Sequence, residues 1–99
     1  MALKDDNALT PITTDWVLIL NGVGSITNVE SDANKNIQFR YDIALPVGDV
    51  ASRTLYSLAN FNNDVSNTKL NTFENKHFDS KIYGRATSGT VNVLVTREV

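Results

Sequence analysis

The residues of this chain that could do chemistry are few, and none completes a catalytic pattern. His77 is the single histidine, and it lies in a polar stretch at residues 75–80. A Ser-His-Asp arrangement depends on position in space, so the order of residues along the chain does not exclude one. No serine, however, stands in a nucleophile-elbow pattern. We therefore interpret His77 as a surface residue and predict that the protein is not an enzyme.

Asp32, Asn34 and Asn36 have the spacing with which a calcium-binding loop begins. The pattern then fails, because Ile37 replaces the turn glycine and Ile43 replaces the bidentate glutamate. Asp and Asn side chains also hydrogen-bond to their own backbone in tight turns. We interpret this segment as a β-turn, and we predict no metal site and no cofactor.

Two further features could act on a sugar. Asp5 and Asp6 are adjacent carboxylates, a residue type used in glycoside hydrolysis, but they lie in a polar terminal stretch without a rigid scaffold. Aromatic rings can stack on sugars, and the candidates are Trp16, Tyr41, Tyr56 and Tyr83. We place Trp16 and Tyr41 on core faces, where packing competes with ligand stacking.

The composition is that of one small globular domain without a strongly charged partner. The 99 residues are 41% hydrophobic and 20% charged, with a net charge of −2, so global disorder is not expected. The nine Lys and Arg residues are scattered, whereas nucleic-acid binding needs several on one face. No stretch approaches the ~20 apolar residues of a membrane span, and residues 1–15 hold no apolar signal-peptide segment. We predict no nucleic-acid partner, no membrane partner and no signal peptide.

Short alternating segments predict the elements that would position these residues. We predict strands at Thr14–Leu20, Gly24–Glu30, Asn36–Ile43 and Thr68–Glu74, and a final hairpin over Lys81–Thr96. Arg53–Ala59 fits either a helical turn or a short strand, and we favour the strand. Asn21-Gly22 and Ser88-Gly89 are typical of two-residue hairpin turns, so we expect the strands on either side of each to pair. Seven or eight short strands without a long helix predict an all-β fold, a small antiparallel β-sandwich or jelly-roll-like barrel.

The N-terminal residues predict an extended arm ahead of the sandwich. We assign residues 1–13 to the arm and residues 14–99 to the sandwich domain, because the arm is polar and Pro11 interrupts strand hydrogen bonding. Leu3, Leu9 and Ile12 are isolated apolar side chains along it. We expect them to dock on a neighbouring subunit, because the arm is too short to form a core of its own.

The segment Thr14–Leu20 is apolar on both faces, which is unusual for a strand of a thin sandwich. Val17 and Ile19 fall on the face that we expect to lie outside, and we predict that they contact another subunit. A long loop of the same chain over this face is the alternative. The absence of cysteine also favours association, because no disulfide can support the small core.

Two terminal motifs give the chain a resemblance to a known class of protein. The opening motif is Thr14-Asp15-Trp16-Val17-Leu18-Ile19-Leu20-Asn21-Gly22-Val23-Gly24, and the closing motif is Tyr83-Gly84-Arg85-Ala86-Thr87-Ser88-Gly89-Thr90-Val91. The chain resembles small β-sandwich virion proteins of tailed bacteriophages. These often open with T-x-W-x-x-I/L-x-x-G-x-G and close with W/Y-x-R-A-x-S-G-x-V-x-V-x-V. Residues 31–80 do not align with the pattern.

The resemblance implies an assembly role and brings no catalytic residues. The first function it implies is that of a capsid decoration or cement protein, which binds the outside of the phage head and stabilises it. Its partners would be the major capsid protein or another virion protein, together with further copies of itself, with a trimer favoured. The residues expected to contact the capsid or the other copies are Leu3, Leu9, Ile12, Val17 and Ile19. The protein would be made in the host cytoplasm and located in the virion. The alternative is a fibre or tail-associated module that binds host surface glycan.

Overall fold

The computed structural model describes residues 3–98, with side chains described for residues 8–97. Eight strands and one short helix lie within this range. The strands are β1 (Leu3–Ile12), β2 (Val17–Asn21), β3 (Gly24–Asn28), β4 (Ile37–Tyr41), β5 (Arg53–Leu55), β6 (Thr72–Asn75), β7 (Lys81–Ala86) and β8 (Val91–Glu98). The helix α1 (Leu58–Asn62) lies between β5 and β6, and Ser57 caps its first turn.

The strands form two four-stranded antiparallel sheets. Sheet I has the order β1-β8-β3-β6, and sheet II has the order β2-β7-β4-β5. Counted from both ends of the chain, β1 pairs with β8, β2 with β7, β3 with β6 and β4 with β5. One long hairpin that wraps around itself gives this order, in which successive pairs alternate between sheets, and it is the order of an eight-stranded jelly roll. The prediction of an all-β antiparallel sandwich is confirmed.

The two predicted hairpins are instead corners between the sheets. Asn21-Gly22 joins β2 of sheet II to β3 of sheet I, and Ser88-Gly89 joins β7 of sheet II to β8 of sheet I. Gly22 and Gly89 have φ of 92° and 61°, so both turns need the conformation that glycine adopts easily. The turn chemistry was predicted correctly and the pairing wrongly, because a tight turn does not by itself decide in which sheet the next strand lies.

The first strand belongs to the sandwich, which corrects the prediction of a separate arm that reaches a neighbour. From Asp6 to Ile12, β1 pairs in continuous antiparallel register with β8 of its own chain. Ile12 is buried in the core. Pro11 is tolerated because β1 is an edge strand, where one side of the backbone needs no ladder partner. Met1 and Ala2 and the side chain of Leu3 lie outside the described part.

The core fills the space between the sheets with alternating side chains. Its members are Ile12, Ile19, Leu20, Ile26, Ile37, Phe39, Leu55, Ile82, Ala86, Val91, Val93 and Val95. The alternation of valines along β8 was predicted, as was that of Ile37 and Phe39 along β4. The predicted face of β4 does not continue, because Tyr41 is exposed at the end of the strand and Ile43 lies beyond it.

A β-bulge accounts for the two apolar faces of the Thr14–Leu20 segment. Leu18 lies opposite Tyr83 and Leu20 opposite Ile82, so Ile19 is an extra residue in β2. Ile19 and Leu20 are both buried, whereas Val17 and Leu18 are 41% and 42% exposed. The prediction that Ile19 contacts another subunit is therefore wrong. It assumed strict alternation, which the extra residue interrupts.

Candidate interaction surfaces

The long connection between β4 and β5, residues 42–52, crosses the outer face of sheet II. Trp16 Nε1 donates a hydrogen bond to the carbonyl oxygen of Gly48 at 2.9 Å. Arg40, which points outward from β4, donates from Nη1 to the carbonyl oxygen of Ala51 at 2.8 Å. The chain's own loop therefore covers part of this face. This is the alternative to cover by a second subunit. Trp16 lies on this outer face, whereas we had placed it in the core.

Arg85 holds the same loop from β7. Its Nε donates to Gln38 Oε1 at 2.8 Å, and its Nη2 lies 2.7 Å from Asp49 Oδ1 in the loop. Its guanidinium carbon lies 4.8 Å from the centre of the Trp16 ring, a cation–π arrangement. Because Asp49 is almost fully exposed, the ion pair contributes little to stability. Arg85 therefore adds a contact between β7 and the loop but little stability.

Three exposed apolar side chains lie on β2 and in this loop. Val17 and Leu18 are exposed on β2, which is an edge strand of sheet II. Val47 is also exposed, and Val17 and Val47 are the chain neighbours of the hydrogen-bonded Trp16 and Gly48. We call Val17, Leu18 and Val47 the edge patch. Exposed apolar side chains on an edge strand and its neighbouring loop offer a surface that another protein can cover.

A second exposed apolar group lies at one end of the sandwich, where β2, β4 and β6 all finish. Ile43 in the β4–β5 loop is 92% exposed, and Phe78 in the β6–β7 loop is 84% exposed. The β4–β5 loop is joined to the first residue of β7, where the β6–β7 loop ends, because the backbone N–H of Asp42 donates to the carbonyl oxygen of Lys81 at 3.2 Å. An open pocket of about 570 Å³ lies between them, lined by Tyr41, Asp42, Ile43, Asp79, Ser80 and Lys81. We call Ile43, Phe78 and this pocket the end patch.

Asn75, which is buried, orders this end of the sandwich. Its Nδ2 donates to the carbonyl oxygens of Gly22 at 2.7 Å and His77 at 3.1 Å. Its Oδ1 accepts from the backbone N–H of His77 at 3.2 Å and from the Tyr41 hydroxyl at 3.3 Å. The N–H of Gly22 donates in turn to the carbonyl oxygen of Ser80 at 2.8 Å. The loop that carries Phe78 is thus held at both ends.

The structure separates the predicted contact residues. Ile12 and Ile19 lie in the core and present no surface to a partner. Leu9 and Val17 are exposed, on the edge strands of sheet I and sheet II respectively. The side chain of Leu3 is outside the described part. The sequence reasoning missed the end patch, although an aromatic residue within a polar turn, Phe78, was the signal that could have indicated it.

The candidate residues for catalysis and metal binding lie in turns. His77 is exposed in the β6–β7 turn. Asp32 forms the predicted β-turn, since its Oδ1 accepts from the N–H of Asn34 at 2.9 Å and its carbonyl oxygen from the N–H of Lys35 at 3.0 Å. Among the side chains that the structure describes, no group of three or more His, Cys, Asp or Glu could hold a metal ion. No helix in the described range is long and apolar enough to cross a membrane.

Comparisons of the chain with protein-family models, with curated proteins and with solved structures found no match in any of the three.

Proposed function

We propose that this protein is a non-enzymatic structural component of a tailed-phage virion, a decoration protein that binds the outside of the head. Its partner there is the major capsid protein or another virion protein. The resemblance of the terminal motifs supports the virion role, and the edge patch is the observation that carries the contact. Val17, Leu18 and Val47 do not stabilise the monomer while they are exposed to water. Their burial against a partner stabilises the complex.

The edge patch offers two kinds of attraction to a partner. Complete burial of a Val or Leu side chain is worth ~1.5–3 kcal/mol, and these side chains are already partly buried, so each adds less. The free edge of β2 also presents backbone donors and acceptors, with which an extended segment of a capsid protein can pair as an added strand. Together these terms are of the same order as the ~4–15 kcal/mol cost of association. A head offers many equivalent sites, so a self-associated protein would bind with higher avidity.

Binding to isolated heads tests the proposal. The purified chain is mixed with expanded heads of the phage that encodes it, and bound protein is measured after sedimentation. We expect Val17→Asp to weaken binding at least ~10-fold, because a charge at the contact must be desolvated. Val65→Asp is the matched control, since Val65 is exposed on the β5–β6 connection and β5 is the edge of sheet II opposite to β2, and it should bind like the wild type.

Localisation provides the second part of the test. Antibody labelling in electron microscopy should place the protein on the heads of intact virions. Absence from purified virions, or equal binding of the two Asp variants to heads, would overturn the proposal. Retention on host glycan without binding to heads would support the fibre or tail-associated alternative.

A further inference from the structure

Phe78 is an aromatic side chain that projects into solvent from a hydrogen-bonded loop. It is 84% exposed, yet its loop is held by Asn75 at one end and by the Gly22–Ser80 hydrogen bond at the other. The N–H of Ser80 also donates to the carbonyl oxygen of His77 at 3.3 Å, which closes a turn around Phe78. Aromatic side chains anchor protein contacts because they bury a large area and lose little conformational freedom.

The pocket of the end patch adjoins this ring. Asp79 and Ser80, which follow Phe78 in the chain, line one side of the pocket, and Tyr41 and Ile43 line the other with apolar surface. A protruding aromatic ring and an open concave site are therefore neighbours on one surface. A two-fold axis through this surface allows Phe78 of each copy to meet the pocket of the other, which makes the contact self-complementary.

The charges at the rim also match a second copy. Asp42 Oδ2 lies 3.2 Å from Arg40 Nε and is thus paired within its own chain. Asp79 and Lys81 remain at the pocket with opposite charges. Across a two-fold axis, Asp79 of one copy can face Lys81 of the other. A strongly charged partner would gain no net attraction here, because the acidic and basic charges at the rim balance.

We propose that the end patch is a self-association surface, in which Phe78 of one copy enters the Tyr41–Lys81 pocket of a second copy. This contact is formed in solution and does not depend on the virion role. It uses a different surface from the edge patch, so a self-associated protein can still present Val17 to a head.

Analytical ultracentrifugation of the full chain over a wide concentration range tests this contact. Phe78→Ser should raise the dissociation constant at least ~30-fold, the loss expected for an anchoring aromatic residue. Val65→Ser is the matched control and should leave the constant unchanged, because Val65 is as exposed as Phe78 but lies at the opposite end of the sandwich. Far-UV circular dichroism should show the same fold for all three proteins. A wild type that stays monomeric throughout would overturn the proposal, as would equal constants for the two Ser variants.

A charge exchange identifies the second copy as the occupant. Asp79→Lys and Lys81→Asp should each associate more weakly with themselves than the wild type does, because each places like charges across the contact. When the two variants are mixed, opposite charges face each other again, and heterodimers should exceed either homodimer. A mixture without this preference would overturn the two-fold pairing. Failure of the wild type to bind heads would leave both results unaffected and would count only against the virion proposal.

Discussion

The side-chain amide of Asn75 donates to the carbonyl oxygen of Gly22 at 2.7 Å, across 53 residues of sequence. This bond ties the corner where the chain leaves sheet II to the last residue of β6 in sheet I. Both Asn75 and Gly22 are buried, so neither partner can exchange the bond for water without cost. The end of the sandwich that carries Phe78 and Ile43 depends on this bond for its order.

Replacement of Asn75 tests that dependence. Asn75→Ala would leave the buried carbonyl oxygen of Gly22 without its amide donor, and we expect the free energy of unfolding to fall by ~1–3 kcal/mol. Urea denaturation measures the change. Asn62→Ala, at an exposed position of α1, should change the free energy by no more than ~0.5 kcal/mol. Equal effects of the two substitutions would show that the Asn75 bonds do not order this end.

Gly24 is required for the close approach of β3 and β8. A Cβ atom at this position would overlap the carbonyl oxygen of Thr96 and lie 2.9 Å from Leu20 Cδ1. Because the carbonyl belongs to the backbone of a paired strand, it cannot move aside as a side chain could. Gly24→Ala should therefore lower the free energy of unfolding by ~1–3 kcal/mol, measured by thermal and urea unfolding. The neighbouring Ser25→Ala, on the opposite face of β3, is the control, and a loss there as large as at Gly24 would contradict the steric explanation.

The bulge in β2 makes opposite predictions for two residues that the sequence pattern places on one face. From the sequence alone, Ile19→Asp should weaken self-association and leave the fold intact. The structure reverses this expectation, because a carboxylate at the buried Ile19 has no partner and its desolvation costs several kcal/mol of a total stability of only ~5–15 kcal/mol. We expect Ile19→Asp to unfold the protein and Val17→Asp to keep the wild-type circular dichroism spectrum. A folded Ile19→Asp variant would refute the bulge.

Asp64 makes stability depend on pH in the acid range. Its Oδ1 accepts from the Ser66 hydroxyl at 2.7 Å, and its Oδ2 accepts from the N–H groups of Thr68 and Lys69, each at 2.7 Å. These bonds, that of the Ser66 hydroxyl first, lower the pKa of Asp64 from 3.8 to about 2. Because the folded pKa lies below the unfolded one, the stabilisation is complete above pH 3.8 and is lost as the pH falls towards about 2.

Carboxyl titration by NMR measures this pKa directly. Ser66→Ala should raise the pKa of Asp64, since it removes the bond with the largest effect on the carboxylate. Asp64→Asn should unfold at a lower temperature than the wild type at neutral pH, and the difference should shrink in acid. If Asp64 titrates near its ordinary value in the folded wild type, the loop at residues 64–69 is not organised by this carboxylate.

The local sequence was sufficient to predict most of the strands and the class of fold. Alternation along β8 placed Val91, Val93 and Val95 in the core, and the left-handed conformations of Gly22 and Gly89 were anticipated from their neighbours. The Asp32 turn was predicted for the same reason. These features depend on backbone conformation and on side-chain alternation, which act within a few residues of each other.

The tertiary structure decided the features that depend on residues far apart in the sequence. Which strands pair across a corner depends on how two sheets pack, so Asn21-Gly22 and Ser88-Gly89 were read as hairpins although each joins one sheet to the other. The single extra residue at Ile19 turned a predicted contact residue into a core residue, because a bulge is visible only against the partner strand. The end patch likewise exists because Asp42 and Lys81, 39 residues apart by number, are brought into hydrogen-bonding distance by the register of β4 on β7. Sequence periodicity determines which face of each strand is buried. Which strands lie side by side depends on packing between residues far apart in the sequence, so a short stretch of sequence cannot predict it.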